Sequence, residues 1–281
     1  MSDIHESVRD RYRNAALGAG ECCGDQSPAD ADSGCCGGHD STGGASCCGA
    51  APSTAFGYTI DELRLLPEGA DLGLGCGNPT ALAGLAPGEV VVDLGSGGGI
   101  DCLLAAARVG DEGRVIGVDM TPEMIALARQ NAERAGATNV EFRLGEIEHL
   151  PIADATANVV VSNCVINLAP QKEPVLADAY RVLAPGGRLM VSDLVLDEDL
   201  PDALRANMTL LTGCIAGAML REEFLAAIRH AGFDDVRVET EREYLKLDHL
   251  ASLAREAGIA EDDAALIAAR LRSVSIAARR P

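Results

Sequence analysis

The stretch Glu89-Val90-Val91-Val92-Asp93-Leu94-Gly95-Ser96-Gly97-Gly98-Gly99, residues 89–99, decides the fold. Its first half is a β-branched run without polar alternation, the pattern of a strand buried on both faces. Its second half is a glycine turn, and helix-like sequence (IDCLLAAARV, 100–109) follows. The unit then repeats. RVIGVDM (114–120) reads as a second strand, and Thr121 with Pro122 opens a helix running to about Ala135. NVEFRLG (139–145) and ANVVVSNC (157–164) read as strands three and four. A helix around 171–183 is expected to stop at Pro185-Gly186-Gly187, before a fifth strand, RLMVSDL (188–194). Strands and helices alternating at this spacing predict an α/β fold with a parallel sheet covered on both faces.

Outward from this core the text is less regular. Residues 1–17 suit a short amphipathic helix with Ile4, Val8 and Leu17 as apolar positions. Residues 18–53 are Gly, Ser, Asp and Ala with almost no large apolar side chain, a composition that predicts a mobile arm. Within it Cys-Cys-Gly recurs at 22–23, 35–36 and 47–48. Downstream, 201–219 reads as helical around a Gly-Cys break, 221–231 as a helix ended by Gly232, and 247–271 as Ala-rich helix. DDVRVETER (234–242) and RSVSIAAR (272–279) alternate with period two and are expected to pair as an antiparallel edge. The expected organisation is an arm (1–57), a core (58–200), and a segment (201–281) of cover, C-terminal helices and closing strands.

Composition narrows the function. Lys and Arg total 23 against 43 Asp and Glu, a formal charge of −20. Such a surface repels phosphate backbones and anionic headgroups, so nucleic acid and membrane are not expected partners. No apolar run approaches the ~20 residues of a membrane span, and MSDIHESVRDRYRNAA lacks the apolar core of a secretory signal. A cytoplasmic location is expected, and ten cysteines in a reducing compartment point to metal binding or catalysis.

The glycine turn is a candidate ligand cradle. Asp93, Gly95, Ser96 and Gly97 follow a buried strand and precede a helix, where glycine lets backbone approach a ligand closely. Asp119, ending the second strand beside Met120, is placed to accept both ribose hydroxyls of an adenosine. Glu146 and Ile147 follow the third strand, where a carboxylate and a backbone N–H can read an adenine edge. Asn163 ends the fourth, at the crevice where open parallel sheets bind ligands. Any one of these alone reads equally well as a turn residue; the ordered series is what carries weight. The glycines do not fit the G-x-G-x-x-G frame of dinucleotide sites. They resemble the E/D-x-G-x-G-x-G turn of class I methyltransferases.

Three cysteines fall outside the arm at exposed-looking points: Cys76 in a Gly-rich turn, Cys164 at a strand's carboxyl end, and Cys214 in TGCIAGA. Cys102, on the helix after the glycine turn, is expected to face inward. A single such thiol is most often a buried structural one, but three together select a soft, thiophilic centre. Arsenic(III) takes three sulfurs in a pyramid and keeps a lone pair. Zinc on four thiolates is closed, and the usual C-x₂-C spacing is missing.

LGLGCGNPTALAGLAPGEVVVDLGSGGGIDC, VIGVDMTPEMIALAR, NVEFRLGEIEHLP, VVSNCVINLAPQKEPVL, LAPGGRLMVSD and GCIAGA together resemble the arsenite S-adenosylmethionine methyltransferases, over about 58–235. LGLGCGNP, SNCVINL and CIAGA are the most specific of these. The resemblance implies a Rossmann-like class I methyltransferase fold and S-adenosylmethionine as methyl donor. It implies arsenite or its thiol conjugates as substrate and a thiol reductant, glutathione or thioredoxin, as co-substrate. It implies that Cys164 and Cys214 hold arsenic, that Cys76 delivers it or joins the redox cycle, and that an arm cysteine takes part. Cys48 and Cys47, nearest the core, fit that role best by spacing, and Cys48 is favoured. A monomer is expected. Two alternatives stand beside this reading: a small-molecule C- or O-methyltransferase, and a Cys-rich metal-sequestering protein.

Overall fold

The β-branched run becomes β1 (Val90–Leu94), and Val91, Val92 and Leu94 are completely buried, each contributing about 1.5–3 kcal/mol by leaving water. A computed structural model describes residues 3–18, 53–244 and 250–281. In it β1 lies between β2 (Arg114–Asp119) and β4 (Ala157–Asn163), parallel to both. β3 (Val140–Leu144) pairs with β2, and β5 (Leu183–Leu196) with β4, again in parallel. β8 (Leu271–Arg279) runs antiparallel to β5, and β7 (Asp234–Glu243) antiparallel to β8. The order is β3-β2-β1-β4-β5-β8-β7, with β6 (Met219–Leu220) pairing alongside the end of β5. This is the expected parallel sheet with an antiparallel C-terminal border.

Three details differ from the sequence reading. β5 begins at Leu183, so Pro185-Gly186-Gly187 lies inside the strand; a register shift between Ala157 and Val159 absorbs the extra residues. β8 is interior, its backbone paired with β5 on one side and β7 on the other, so β7 alone is the border strand. The two long helical stretches are each broken in two. α7 (Asp202–Arg205) and α8 (Met208–Thr212) replace the first, and α10 (Leu250–Ala257) and α11 (Glu261–Arg270) the second, with Gly258 left-handed at φ 63° between them.

Helices cover both faces. α4 (Ile100–Val109) and α5 (Pro122–Ala135) pack on the Val91, Val159 and Val161 side, together with the short α3 (Pro79–Leu82). α6 (Lys172–Val182) and α9 (Arg221–His230) pack on the Val92, Leu94 and Val160 side. A third apolar cluster gathers Val8, Leu168, Leu194, Leu210 and Ile215 around three cysteines. It joins α1 (Asp3–Ala16), which also contacts α5 and α8, to the carboxyl ends of β4 and β5. α2 (Ile60–Arg64) carries a full capping box, Thr59 with Glu62. The strand order reverses between β1 and β4, which opens a crevice at their carboxyl ends. Among the described residues no helix is long and apolar enough to cross a membrane.

Candidate active site

The turn after β1 exists because Gly95 has a left-handed backbone, φ 68°, and no side chain; a Cβ there would lie 2.5 Å from Val165 Cγ2. The turn brings the Gly97 N–H to Asp119 Oδ2 at 2.9 Å, while the Thr121 N–H meets Oδ1 at 2.8 Å. Thr121 is at the N-cap of α5 as expected, but its hydroxyl makes no capping bond; its N–H instead fixes the Asp119 carboxylate. Burial raises the Asp119 pKa, and these amides oppose the rise.

Beyond the turn lies a cleft of about 1000 Å³, counted to its open mouth. Asp93, Gly95, Ser96, Gly97, Asp119, Met120, Ile147, Asn163 and Cys164 all line it. Glu146 does not. The chain turns back after β3, with the His149 N–H on the Glu146 carbonyl, so Ile147 and Glu148 face the cleft and Glu146 faces Arg9 at 3.8 Å. Ser96 Oγ is buried without a hydrogen-bond partner in the structure.

The sequence reading missed Asp101 and Tyr58. Asp101 lines the cleft and accepts from Tyr58 Oη (2.9 Å), Thr80 Oγ1 (2.9 Å) and Asn163 Nδ2 (3.1 Å). Asp93 accepts from Cys102 Sγ at 3.2 Å, which gives the inward-facing Cys102 its role. Burial raises both carboxyls, and the charge of Asp101 raises Asp93 further. A cleft with three buried carboxyls at 93, 101 and 119 favours a cationic occupant.

Asn163 is the bridge from cleft to thiols. Its Oδ1 accepts from the N–H groups of Cys76 (3.1 Å) and Gly77 (3.3 Å), and its Nδ2 donates to the Gly77 carbonyl at 2.8 Å. This clamps the Cys76 turn against the end of β4. Gly77 permits the approach on the other side, since a Cβ there would lie 2.6 Å from Ser192 Cβ.

Cys164, Cys76 and Cys214 converge. The Cys76 and Cys164 sulfurs and an Asp193 carboxylate oxygen all lie within 4.8 Å of one another. Cys214 Sγ donates to the Cys164 carbonyl at 2.8 Å, and Cys76 Sγ donates to the Ser192 carbonyl at 3.4 Å. The expectation that these thiols are exposed is wrong: Cys76, Cys164 and Cys214 are 3%, 4% and 3% exposed. The apolar cluster under α1 and α8 covers them. Burial pushes the Cys76 thiol up to about 11. For Cys164 the bond from Cys214 pulls down, but the one with Cys76 and burial outweigh it; Cys214 is raised by Cys164 and then by burial. In all three the environment favours the protonated thiol. Cys48 and the other arm cysteines (22, 23, 35, 36 and 47) lie outside the described residues.

Two aromatic side chains that sequence reasoning did not single out border the trio. Tyr12, on α1, lines the cleft, and Tyr244 stacks on Phe56 with ring centroids 6.1 Å apart. Both phenols are raised by burial and then by the cysteines beside them. Three of the chain's four tyrosines thus serve this site, in a sequence without Trp, and that scarcity was the available signal. His5 on Glu148 at 3.0 Å and Arg13 on Glu123 at 3.1 Å hold α1 across the cleft.

Comparison with known proteins agrees with this geometry. Residues 85–247 match the family model described as a methyltransferase domain. The fold superposes on the crystal structure of an arsenic(III) S-adenosylmethionine methyltransferase from Chlamydomonas reinhardtii. The two are 36% identical with a TM-score of 0.60, over 82% of this chain and 74% of that one. This chain belongs to the arsenite methyltransferase family. Within that family it is 50% identical over 237 residues to the arsenite methyltransferase of Halobacterium salinarum, and 40% identical over 159 residues to that of Homo sapiens. These matches cover 84% and 53% of this chain but only 59% and 42% of the two relatives, so the chain spans about half the length of the curated family members it matches.

Proposed function

We propose that this chain transfers a methyl group from S-adenosylmethionine to trivalent arsenic held on the thiols of Cys164 and Cys214, with Cys76 as the third sulfur or the delivering one. The observation that carries the reading is the convergence of three buried thiols at the end of β4, with Cys164 itself in the wall of the nucleotide-type cleft. The donor set of that cleft suits the methyl donor: an unpartnered Ser96 hydroxyl, a glycine turn, and buried carboxyls facing a ligand that carries a sulfonium and an ammonium. Asp119 would take the ribose hydroxyls, Met120 and Ile147 the adenine, and Asp93 with Gly95–Gly97 the amino-acid end. Bound S-adenosylmethionine supplies an electrophilic methyl on a positively charged sulfur.

The chain's part is positioning. Three sulfurs around arsenic leave one lone pair, and that lone pair is the nucleophile, so no general base is needed. The neutral thiols load by exchange: each gives its proton to the hydroxide or carrier thiolate that leaves arsenic. Tyr12, Tyr244 and the apolar cluster exclude water from the reacting centre. Glutathione or thioredoxin as reductant, an arm cysteine such as Cys48 in the redox cycle, a monomeric state and a cytoplasmic location belong to the same proposal. So does the organisation into arm (1–57), core (58–200) and cover segment (201–281).

The test is turnover with arsenite, S-adenosylmethionine and excess glutathione, comparing wild type with Cys164→Ser and Cys214→Ser. Methylated arsenic from wild type and not from either variant is the expected result. Binding of S-adenosylmethionine without any methylarsenical would overturn the metalloid reading and direct the search to an organic acceptor.

A further inference from the structure

The turn at 70–78 is a partition between two cavities. Its residues 70–75 line the methyl-donor cleft, while Cys76, Gly77 and Asn78 line a second cavity of about 410 Å³, counted to its mouth. That second cavity is walled by Phe56, Thr240, Ser273, Ser275 and Arg242. Among the described residues Arg242 is its one charged lining residue, and no described carboxylate lines it. The placement of this charge is informative. Most arginines of this strongly acidic chain hold a carboxylate, as 108, 188 and 221 do, and Arg129, Arg134 and Arg280 are held on backbone carbonyls instead. Arg242 has no ion-pair partner among the described residues; its guanidinium lies against Gly57, where a Cβ would be 3.2 Å from Nη1. The Cys76 end is equally ordered, with Ser273 Oγ donating to the Cys76 carbonyl at 2.7 Å.

We infer that this second cavity is the loading port, where arsenic(III) arrives as the conjugate of a small carboxylated thiol whose carboxylate Arg242 holds while arsenic passes to Cys76. The inference rests on the function proposed above. The step is thiol exchange with no change of oxidation state. A bond forms between arsenic and Cys76 Sγ, one arsenic–sulfur bond to the carrier breaks, and the carrier leaves as free thiol with the proton given up by Cys76. The port lies across the 70–78 turn from the methyl-donor cleft, so arsenic can load while that cleft is full, and Cys76 passes it to Cys164 beside it. A peptide thiol such as glutathione has the required carboxylates; cysteamine is a thiol of similar reach without one.

The experiment follows arsenic uptake by the full reduced chain without methyl donor, read by tyrosine fluorescence, because Tyr12 and Tyr244 border the thiols. Arsenic is supplied as its tris-glutathione or its tris-cysteamine conjugate, to wild type and to Arg242→Glu, whose side chain is on the exposed strand β7. Reversing the one charge is expected to slow uptake from glutathione about tenfold and to leave uptake from cysteamine unchanged or faster. Equal rates from glutathione in the two proteins, or equal slowing with both carriers, overturns the port. Uptake by wild type without later methylation overturns the proposed activity and leaves the port standing; no uptake at all by wild type overturns both.

Discussion

The Cys214 thiol donates to the Cys164 carbonyl oxygen at 2.8 Å, and both residues hold left-handed backbones, at φ 65° and 57°. Non-glycine residues avoid this region because Cβ crowds the following carbonyl. Cys214 occupies the position after a helix where glycine is usual. Its N–H bonds the Leu211 carbonyl at 3.0 Å and the Ile215 N–H bonds the Leu210 carbonyl at 2.9 Å, which is the Schellman pattern closing α8. Two cysteines in glycine-like positions indicate backbone strain accepted for the sake of the thiols.

Glycine at either position removes the thiol and relieves the strain; alanine removes the thiol and keeps it. Cys214→Gly is therefore expected to be more stable than Cys214→Ala by about 1 kcal/mol, and Cys164→Gly more stable than Cys164→Ala by a similar margin. All four variants should lose arsenic methylation. Urea unfolding compares the pairs, and alanine variants as stable as the glycine ones would show that the backbone is not strained.

Thiol reactivity should reflect burial. With every thiol of the site raised and shielded, Cys76, Cys164 and Cys214 should react with iodoacetamide at pH 7.5 at least about tenfold more slowly than free cysteine. Their rates should still be climbing at pH 9. Peptide mass mapping after timed quenching reads each site separately. A rate at Cys164 that levels off below pH 8 would reveal a preformed thiolate and contradict loading by neutral thiols.

Much of this was legible in the sequence because local rules and tertiary contacts agree there. Val90–Leu94 can only be a buried strand, the glycines after it can only be a turn, and Asp119 and Asn163 end strands whose order follows from alternation. What was not legible depends on long-range approach. Nothing local distinguishes Glu146 from Glu148, and the turn direction after β3 decides which meets the cleft. Asp101 looks like the first-turn acid of α4 until Tyr58, Thr80 and Asn163 meet it. The thiols looked exposed because glycines surround them in sequence; α1 and α8, remote in the chain, bury them.

Asp119 is oriented by two backbone amides, which leaves its remaining lone pairs for a ligand in the cleft. Hydrogen bonds to a charged acceptor are worth about 1.5–3 kcal/mol, so Asp119→Asn should weaken S-adenosylmethionine binding roughly 10- to 100-fold. Asparagine keeps one acceptor but turns its NH₂ toward the other backbone amide, so the melting temperature should fall by a few degrees while the protein stays folded at the titration temperature. Calorimetric titration of the reduced protein measures the change. Unaltered affinity would remove Asp119 from the ligand's contacts.

The buried carboxyl of Asp193 makes stability depend on pH in a direction opposite to that of a surface aspartate. It accepts from the Ile166 N–H (3.1 Å), Asn167 Nδ2 (2.8 Å) and the Leu194 N–H (2.8 Å), yet burial outweighs these and pushes it from 3.8 up to about 7. The folded chain therefore holds this proton more tightly than the unfolded chain. The resulting stability is complete below about pH 4 and is lost as pH rises through about 7, at up to about 1.4 kcal/mol per pH unit. Asp193→Asn has no proton to lose there, so wild type should lose stability relative to this variant between pH 5 and pH 8. The window stays below the pH at which the neighbouring raised thiols ionise, so both proteins share every other titration. Urea unfolding at pH 5, 6, 7 and 8 under reducing conditions gives the difference at each point. A difference that stays flat, or moves in favour of wild type as pH rises, would mean that Asp193 is already ionised in the folded protein and that its three donors, not burial, set its charge.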